Sequence, residues 1–200
     1  MCRWAAATAT SAISMYPVMP DLNTYIPFME GYHRAYGCFP RKTPADAGYG
    51  SYDNYCYCKE HDIELYMKYN TMHKEQEKVT DKNRFRSYRM KPDEEGNIYC
   101  YCPQGHAFTL EQTKESVKGR YPRTIQFYRN EHCEGCPSRS QCTQSKHGGT
   151  LQRTDKLAEM QIEVRENLLT ETGQVLMKQR SIQAEGIYGQ IGASAGFNRS

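Results

Sequence analysis

The chain has 200 residues, 38% hydrophobic and 24% charged, with a net charge of +3 and a mean hydropathy of −0.84. Aromatic residues reach 12%, too many for an intrinsically disordered chain, and no stretch approaches the roughly 20 apolar residues of a membrane span. The length suits one domain, or one domain carrying an insertion.

Residues 1–14 lack the roughly 7–15-residue apolar core of a secretory signal, so the expected location is cytoplasmic. Residues 12–18 (Ala12, Ile13, Ser14, Met15, Tyr16, Pro17, Val18) read as a short strand ended by Pro20 and Asp21. Asp21 or Asn23 is placed to cap a helix over 25–36. Ile26, Met29, Tyr32 and His33 fall on one face of it, and Gly37 stands at its stop. A weak strand signal over 39–45 is interrupted by Pro40 and Pro44. Gly48, Tyr49, Gly50 and Ser51 form a tight turn. Ser51 or Asp53 then caps a helix to about His61, and 63–69 alternates as a strand, with Ile63, Leu65 and Met67 on one side. Helix, strand, turn, helix, strand is an α/β order.

The character changes over 70–154. A charged stretch without a clear period is followed by short β-like pieces at 98–102, 107–110 and 124–128. Residues 59–154 hold 17 basic against 13 acidic side chains, so this part carries the positive excess. Its cations are interleaved with rings: Lys68, Tyr69, Arg84, Phe85, Arg86, Tyr88, Arg89, then Arg120, Tyr121, Arg123. Cations meet phosphates and flat rings stack on bases, so the mixture suits nucleic acid; a solvated, salt-bridged surface is the plainer reading. Beyond 154, Asp155 or Thr154 caps a last helix whose stripe is Leu157, Met160, Val164 and Leu168. Gly173 breaks or kinks it, and a second helical stretch runs over 174–192. The closing residues are rich in Gly, Ala and Ser.

Nine cysteines are many for such a chain, and grouped cysteines in a cytosolic protein more often bind metal than form disulfides. Cys133-Glu134-Gly135-Cys136 is a knuckle followed by Cys142, and Cys100-Tyr101-Cys102 precedes Pro103 and Gly105. Two close pairs on separate turns are the usual way to offer zinc four ligands. Cys102, Cys133, Cys136 and Cys142 can therefore close a structural Zn2+ site, with Cys100, His106, His132 and His147 as spare candidates. Ordinary reduced thiols and redox chemistry are the other readings. Cys56 and Cys58, two apart on a helix, point to different sides and do not make a pair.

Two carboxylates complete the candidates. Asp46 ends a strand before a glycine turn, where α/β folds place ligands, and Glu185 lies in the last helical stretch after Arg180. Taken singly, each reads as a surface acid. Together with their neighbours they form recognisable segments. Ala45-Asp46-Ala47-Gly48-Tyr49-Gly50-Ser51 with Asn54-Tyr55 resembles the second catalytic motif of the DDE transposases of bacterial insertion sequences. Arg180-Ser181-Ile182-Gln183-Ala184-Glu185-Gly186-Ile187-Tyr188-Gly189-Gln190-Ile191 resembles the segment carrying that family's catalytic glutamate. The knuckle Cys133 to Cys142 and Arg165-Glu166-Asn167-Leu168-Leu169 resemble the insertion and catalytic helix of one branch.

The resemblance spans about residues 13–197 and implies an α/β, ribonuclease H-like core, here partial, interrupted by a β-containing, cysteine-rich insertion. Residues 1–69 would carry the second catalytic aspartate, 70–154 the basic insertion, and 155–200 the catalytic helix with its glutamate. By the same resemblance Asp46 and Glu185 are the second and third acids of a triad holding Mg2+ (or Mn2+), with two ions about 3.5–4 Å apart activating the attacking oxygen and stabilising the leaving one. The partners implied are DNA, as transposon ends and target, and a second copy in a synaptic homodimer, in a nucleoid-associated setting. Arg180, Arg120 and Arg123 are the candidate DNA contacts.

The chain also departs from the pattern. The family's first aspartate has no counterpart here, Gly192 stands where a DNA-contacting lysine is usual, Pro44 sits in the catalytic strand, and the basic tail is reduced to Gly196-Phe197-Asn198-Arg199-Ser200. The expectation is a C-terminal transposase portion that is catalytically silent alone. Its rivals are a non-catalytic, zinc-containing nucleic-acid-binding module and an unstable fragment with an exposed sheet edge.

Overall fold

The computed structural model describes the backbone of residues 21–90 and 101–194 and the side chains of 22–90 and 101–182. The strand expected over 12–18, Cys100, the side chain of Glu185 and the tail from 195 lie outside the described residues. The chain divides into two compact units, one of residues 1–70 with 160–200, the other of residues 71–159.

In the first unit a 3₁₀ turn over Asp21–Asn23 leads into α1 (Tyr25–Tyr36). The N-cap is Thr24, without a side-chain cap, in place of the expected Asp21 or Asn23. Gly37 closes the helix in the left-handed conformation at φ 72°, its N–H on the His33 carbonyl at 2.8 Å. Met29 and Tyr32 face inward as expected. Tyr25 replaces Ile26 in the buried set, and His33 lies exposed with its ring stacked on Phe39 at 4.4 Å.

Strand β1 (Lys42–Ala45) and strand β2 (Glu64–Met67) pair in parallel, with Thr43 opposite Leu65 and Ala45 opposite Met67. Helix α2 (Tyr52–Glu60) joins them, its N-cap Ser51 accepting from the Asn54 N–H at 3.2 Å. Leu65, Tyr66 and Met67 are all buried, so β2 lacks the one-sided burial its alternation suggests. Strands of parallel sheets are covered on both faces, which erases the two-residue period.

Helix α5 (Asp155–Leu169) buries Met160, Val164 and Leu168, three members of the expected stripe. The break after it falls at Thr170, and α6 (Glu171–Ser194) follows. Gly173 sits inside the first turn of α6, where a Cβ would collide with the Asn167 carbonyl oxygen and stand 2.8 Å from the Leu168 Cα. The glycine thus lets two helices meet closely and does not itself break either one.

The core of this unit is unusually rich in tyrosine: Tyr25, Tyr32, Tyr52, Tyr55, Tyr57, Tyr66 and Tyr69 are all buried. A buried phenol needs a hydrogen-bond partner. The Tyr25 hydroxyl meets the Cys58 Sγ at 3.1 Å, Tyr55 donates to the Met67 carbonyl at 3.0 Å, and Arg165 donates to the Tyr69 hydroxyl at 3.0 Å. Burial pushes the Cys58 thiol up to about 11 and the Tyr25 and Tyr55 phenols well above their ordinary range. Asn167 donates to the Leu65 carbonyl at 3.0 Å, which ties α5 to β2.

The second unit holds α3 (Met72–Gln76), a 3₁₀ turn over Ser87–Arg89, and an antiparallel sheet in the order β3 (Thr109–Ser116), β4 (Arg123–Asn130), β5 (Gly149–Arg153). Between β4 and β5 lie a 3₁₀ turn over Glu131–Cys133 and α4 (Arg139–Cys142). The piece expected at 124–128 lies within β4; of that at 107–110 only the last two residues join β3, while Ala107 makes an isolated bridge to Tyr101, and most of the piece at 98–102 lies outside the described residues. β3 runs further because its remainder, Glu111 to Ser116, is polar and largely exposed, and so has no apolar period to read. The sheet's hydrophobic cluster is small: Phe108 and Tyr128, with Met90, Cys102 and Leu151 against them.

Candidate functional site

Asp46 lies one residue past the C-terminal end of β1, at the entrance to the 3₁₀ turn Ala47–Tyr49. Three devices fix that turn. Asn54, fully buried, donates through Nδ2 to the Tyr49 carbonyl at 2.7 Å and the Leu22 carbonyl at 3.1 Å. The Lys68 N–H continues the sheet to the Ala45 carbonyl at 3.2 Å. Gly50 passes so close to the end of β2 that a Cβ would collide with the Lys68 carbonyl oxygen and stand 2.8 Å from the Tyr69 Cα. Asp46 itself makes no side-chain cap, and its carboxylate is 55% exposed. The backbone is therefore held while the acid is presented outward.

The Arg180 guanidinium forms an ion pair with the Asp46 carboxylate, and α6 packs on β1. Helix α6 is thereby anchored at the acid. Glu185 follows Arg180 by five residues on the same helix, about 7.5 Å further along its axis. Sequence reasoning placed Asp46, Arg180 and Glu185 but not the ion pair, since 134 positions separate the first two. It also passed over Asn54 and Gly50 as clamps. Their signal lay in the quoted Asp46 to Tyr55 segment, where a polar residue inside a helix of buried positions needs a reason.

The basic candidates divide. Arg180 is engaged with Asp46. Arg120 is exposed in the connection between β3 and β4. Arg123 opens β4 half-buried, its Nε without a hydrogen-bond partner. Two other arginines act inside the second unit: Arg89 donates to the carbonyls of Lys74, Glu75 and Glu77, and Arg139 to those of Cys133, Ser145 and Lys146. Both arginines brace loops, and of the two only Arg89 belongs to the ring-interleaved set.

Cys102, Cys133, Cys136 and Cys142 are all free thiols of intermediate exposure, and they line one cavity of about 20 Å³ with Phe108 and Asn130. Burial, and then the neighbouring Cys133, Cys102 and Cys136, push the Cys142 thiol up. Among the spare candidates, His106 and His132 also line the cavity, their rings stacked at 5.0 Å, while His147 is exposed. Among the described residues, no three Cys, His, Asp or Glu side chains stand in a coordinating arrangement as they are.

Strand ends, helix and carboxylate thus define an α/β protein with an acid presented beside a packed helix. The comparison with known families gives the class: residues 101–200, half of the chain, match the transposase DDE domain. The chain belongs to that family. The matched part includes Glu185 and the four cysteines; Asp46 lies before it. No curated protein and no solved structure shows a significant match. No helix among the described residues is long and apolar enough to cross a membrane.

Proposed function

We propose that the chain is a C-terminal portion of a bacterial insertion-sequence transposase, acting in metal-dependent DNA cleavage and strand transfer, with Asp46 and Glu185 as the second and third acids of the triad. The observation that carries this is the Asp46–Arg180 ion pair. It joins the tip of β1 to the helix that bears Glu185, across a long stretch of intervening chain.

The donor set suits a hard divalent cation: Asp46 offers exposed carboxylate oxygens on a fixed backbone, and oxygen ligands are what Mg2+ takes. When bound, Mg2+ (or Mn2+) polarises the phosphate and activates the attacking oxygen. The chain's own residues orient and hold. Asn54 and Gly50 keep the Asp46 turn in place, and Arg180 aligns the carboxylate. A guanidinium has five donors, so Arg180 can also reach a DNA phosphate while it holds Asp46. Arg120 and Arg123, on or beside the β3–β4 connection, add phosphate contacts from the insertion over 70–154. A second copy would complete the synaptic assembly on the transposon ends.

These residues supply two of the three acids of the triad, so the expected activity of the chain alone is none. A nicking assay on supercoiled DNA with Mg2+ or Mn2+ tests this. Background cleavage that is the same in Asp46→Ala agrees with the proposal; robust cutting abolished by Asp46→Ala contradicts the silence. A gel-shift titration separates the purely binding role. Steeply salt-dependent affinity that survives Asp46→Ala with Glu185→Ala, together with an absence of divalent-ion binding by the unsubstituted chain, would favour a non-catalytic nucleic-acid module.

A further inference from the structure

We propose that Cys102, Cys133, Cys136 and Cys142 form a structural four-thiolate zinc site that holds the second unit together. The case begins with backbone shape. Cys102 opens a turn in which its N–H donates to the His106 carbonyl at 2.9 Å, while the Gly105 N–H returns to the Cys102 carbonyl at 2.8 Å and Gly105 adopts φ 80°. Cys133 opens a second turn, with the Cys136 N–H toward the Cys133 carbonyl at 3.4 Å and Gly135 at φ 73°. A Cβ would meet nothing within 4 Å at either glycine. Glycine is therefore required there for its positive φ and not for space. Two such turns, each presenting a thiol at its start, are how a chain offers sulfur to a metal.

The Cys133 sulfur is already treated as an acceptor. The Gly149 N–H donates to it at 3.2 Å, and Gly148 packs its backbone beside it. An N–H aimed at a ligand sulfur is the outer-shell contact that steadies a thiolate. Arg139, through the carbonyls of Cys133, Ser145 and Lys146, fastens the segment between the knuckle and β5. Cys142, the last residue of α4, supplies the fourth thiol.

The cavity the four share, about 20 Å³, holds one water-sized or ion-sized body. The ligands identify the ion: four sulfurs and no carboxylate select zinc over magnesium or calcium. Binding draws the four thiols inward from the two turns and the end of α4. Each thiol loses its proton to solvent as its Zn–S bond forms, so one Zn2+ exchanges for four protons and leaves a site of charge −2.

The energetic need lies in the same unit. Among the described residues the sheet's hydrophobic cluster is small, two buried aromatics and three partly buried neighbours, and small modules commonly add disulfides or metals to such a core. Cys102, Cys133, Cys136 and Cys142 are all free thiols, so none of the four is tied up in a disulfide and each is available to a metal. This inference concerns a different unit from Asp46 and does not depend on its role.

The test uses the full chain purified under reducing conditions. Atomic emission should find about one equivalent of zinc per chain. Replacement by Co2+ should give an intense thiolate-to-cobalt charge-transfer band with the d–d bands of a tetrahedral ion, and Cys142→Ser should weaken and shift them. Should a serine variant fail to fold, thiol counting on the unsubstituted chain decides: four thiols should become reactive when zinc is chelated. Absence of zinc after reconstitution, Co2+ without the charge-transfer band, or an unchanged spectrum in Cys142→Ser would each overturn the assignment.

Discussion

The two units of this chain solve the same problem in different ways. The unit of 1–70 with 160–200 buries tyrosines, methionines and aliphatics and gives the Tyr25, Tyr55 and Tyr69 hydroxyls partners in Cys58, the Met67 carbonyl and Arg165. Among its described residues the unit of 71–159 has a smaller hydrophobic cluster; it braces loops with arginines and gathers thiols around one cavity. The lesson is that residues of one type do opposite work in the two places. Cys58 is a buried, protonated filler, pushed up to about 11, whereas Cys133 is half-exposed and accepts a backbone N–H. Burial decides whether a thiol stays neutral or is available to a metal.

The largest expected effect breaks this contrast outright. Structural zinc contributes about 10–16 kcal/mol of apparent binding free energy in small modules. Chelation, or Cys136→Ser, should therefore abolish hydrogen-exchange protection in β3, β4 and β5 while α1, α2 and β2 stay protected. Uniform loss across both units, or none, would dissolve the distinction.

A backbone collision comes next. Gly50→Ala places a methyl against the Lys68 carbonyl, an atom that cannot turn aside, so urea unfolding of the first unit should lose about 3 kcal/mol. Asn54→Ala removes two donors from the Tyr49 and Leu22 carbonyls, with an expected loss of about 2 kcal/mol.

The same unit should be alkali-sensitive. The folded Cys58 thiol titrates near 11 against an ordinary 9.0, so the unfolded state gives up its proton first. Stability is then fully present below pH about 9 and is lost as pH rises through about 11, by about 2–3 kcal/mol. Urea titrations across that range, kept reduced, should show the loss; Cys58→Ala should reduce it and leave the loss above pH about 10 that the raised Tyr25 and Tyr55 phenols add. At the small end, Lys59→Ala removes an exposed pair with Glu163 and should change stability by less than about 1 kcal/mol.

Much of the first unit was legible because its helices announce themselves. Gly37, Ser51 and the Met160, Val164, Leu168 stripe each mark a boundary or a buried face by local chemistry. The second unit was harder to read. β3 is polar from Glu111 onward, so its pairing with β4 is set by backbone hydrogen bonds that leave no hydrophobic period. At the site, Asp46 was visible from its place at a strand end, and the four cysteines from their spacing. The Asp46–Arg180 pair was not, because long-range contacts write no pattern into either local segment.

In the proposed site Asp46 and Glu185 together hold a divalent cation. Iron-mediated backbone cleavage tests it without needing catalysis: Fe2+ in place of Mg2+, with ascorbate and peroxide, generates hydroxyl radicals where the ion sits. Peptide cuts should be confined near residues 46 and 185, suppressed by excess Mg2+ and absent in Asp46→Ala. Cuts elsewhere, or cuts near 46 and 185 that persist in Asp46→Ala, would contradict it.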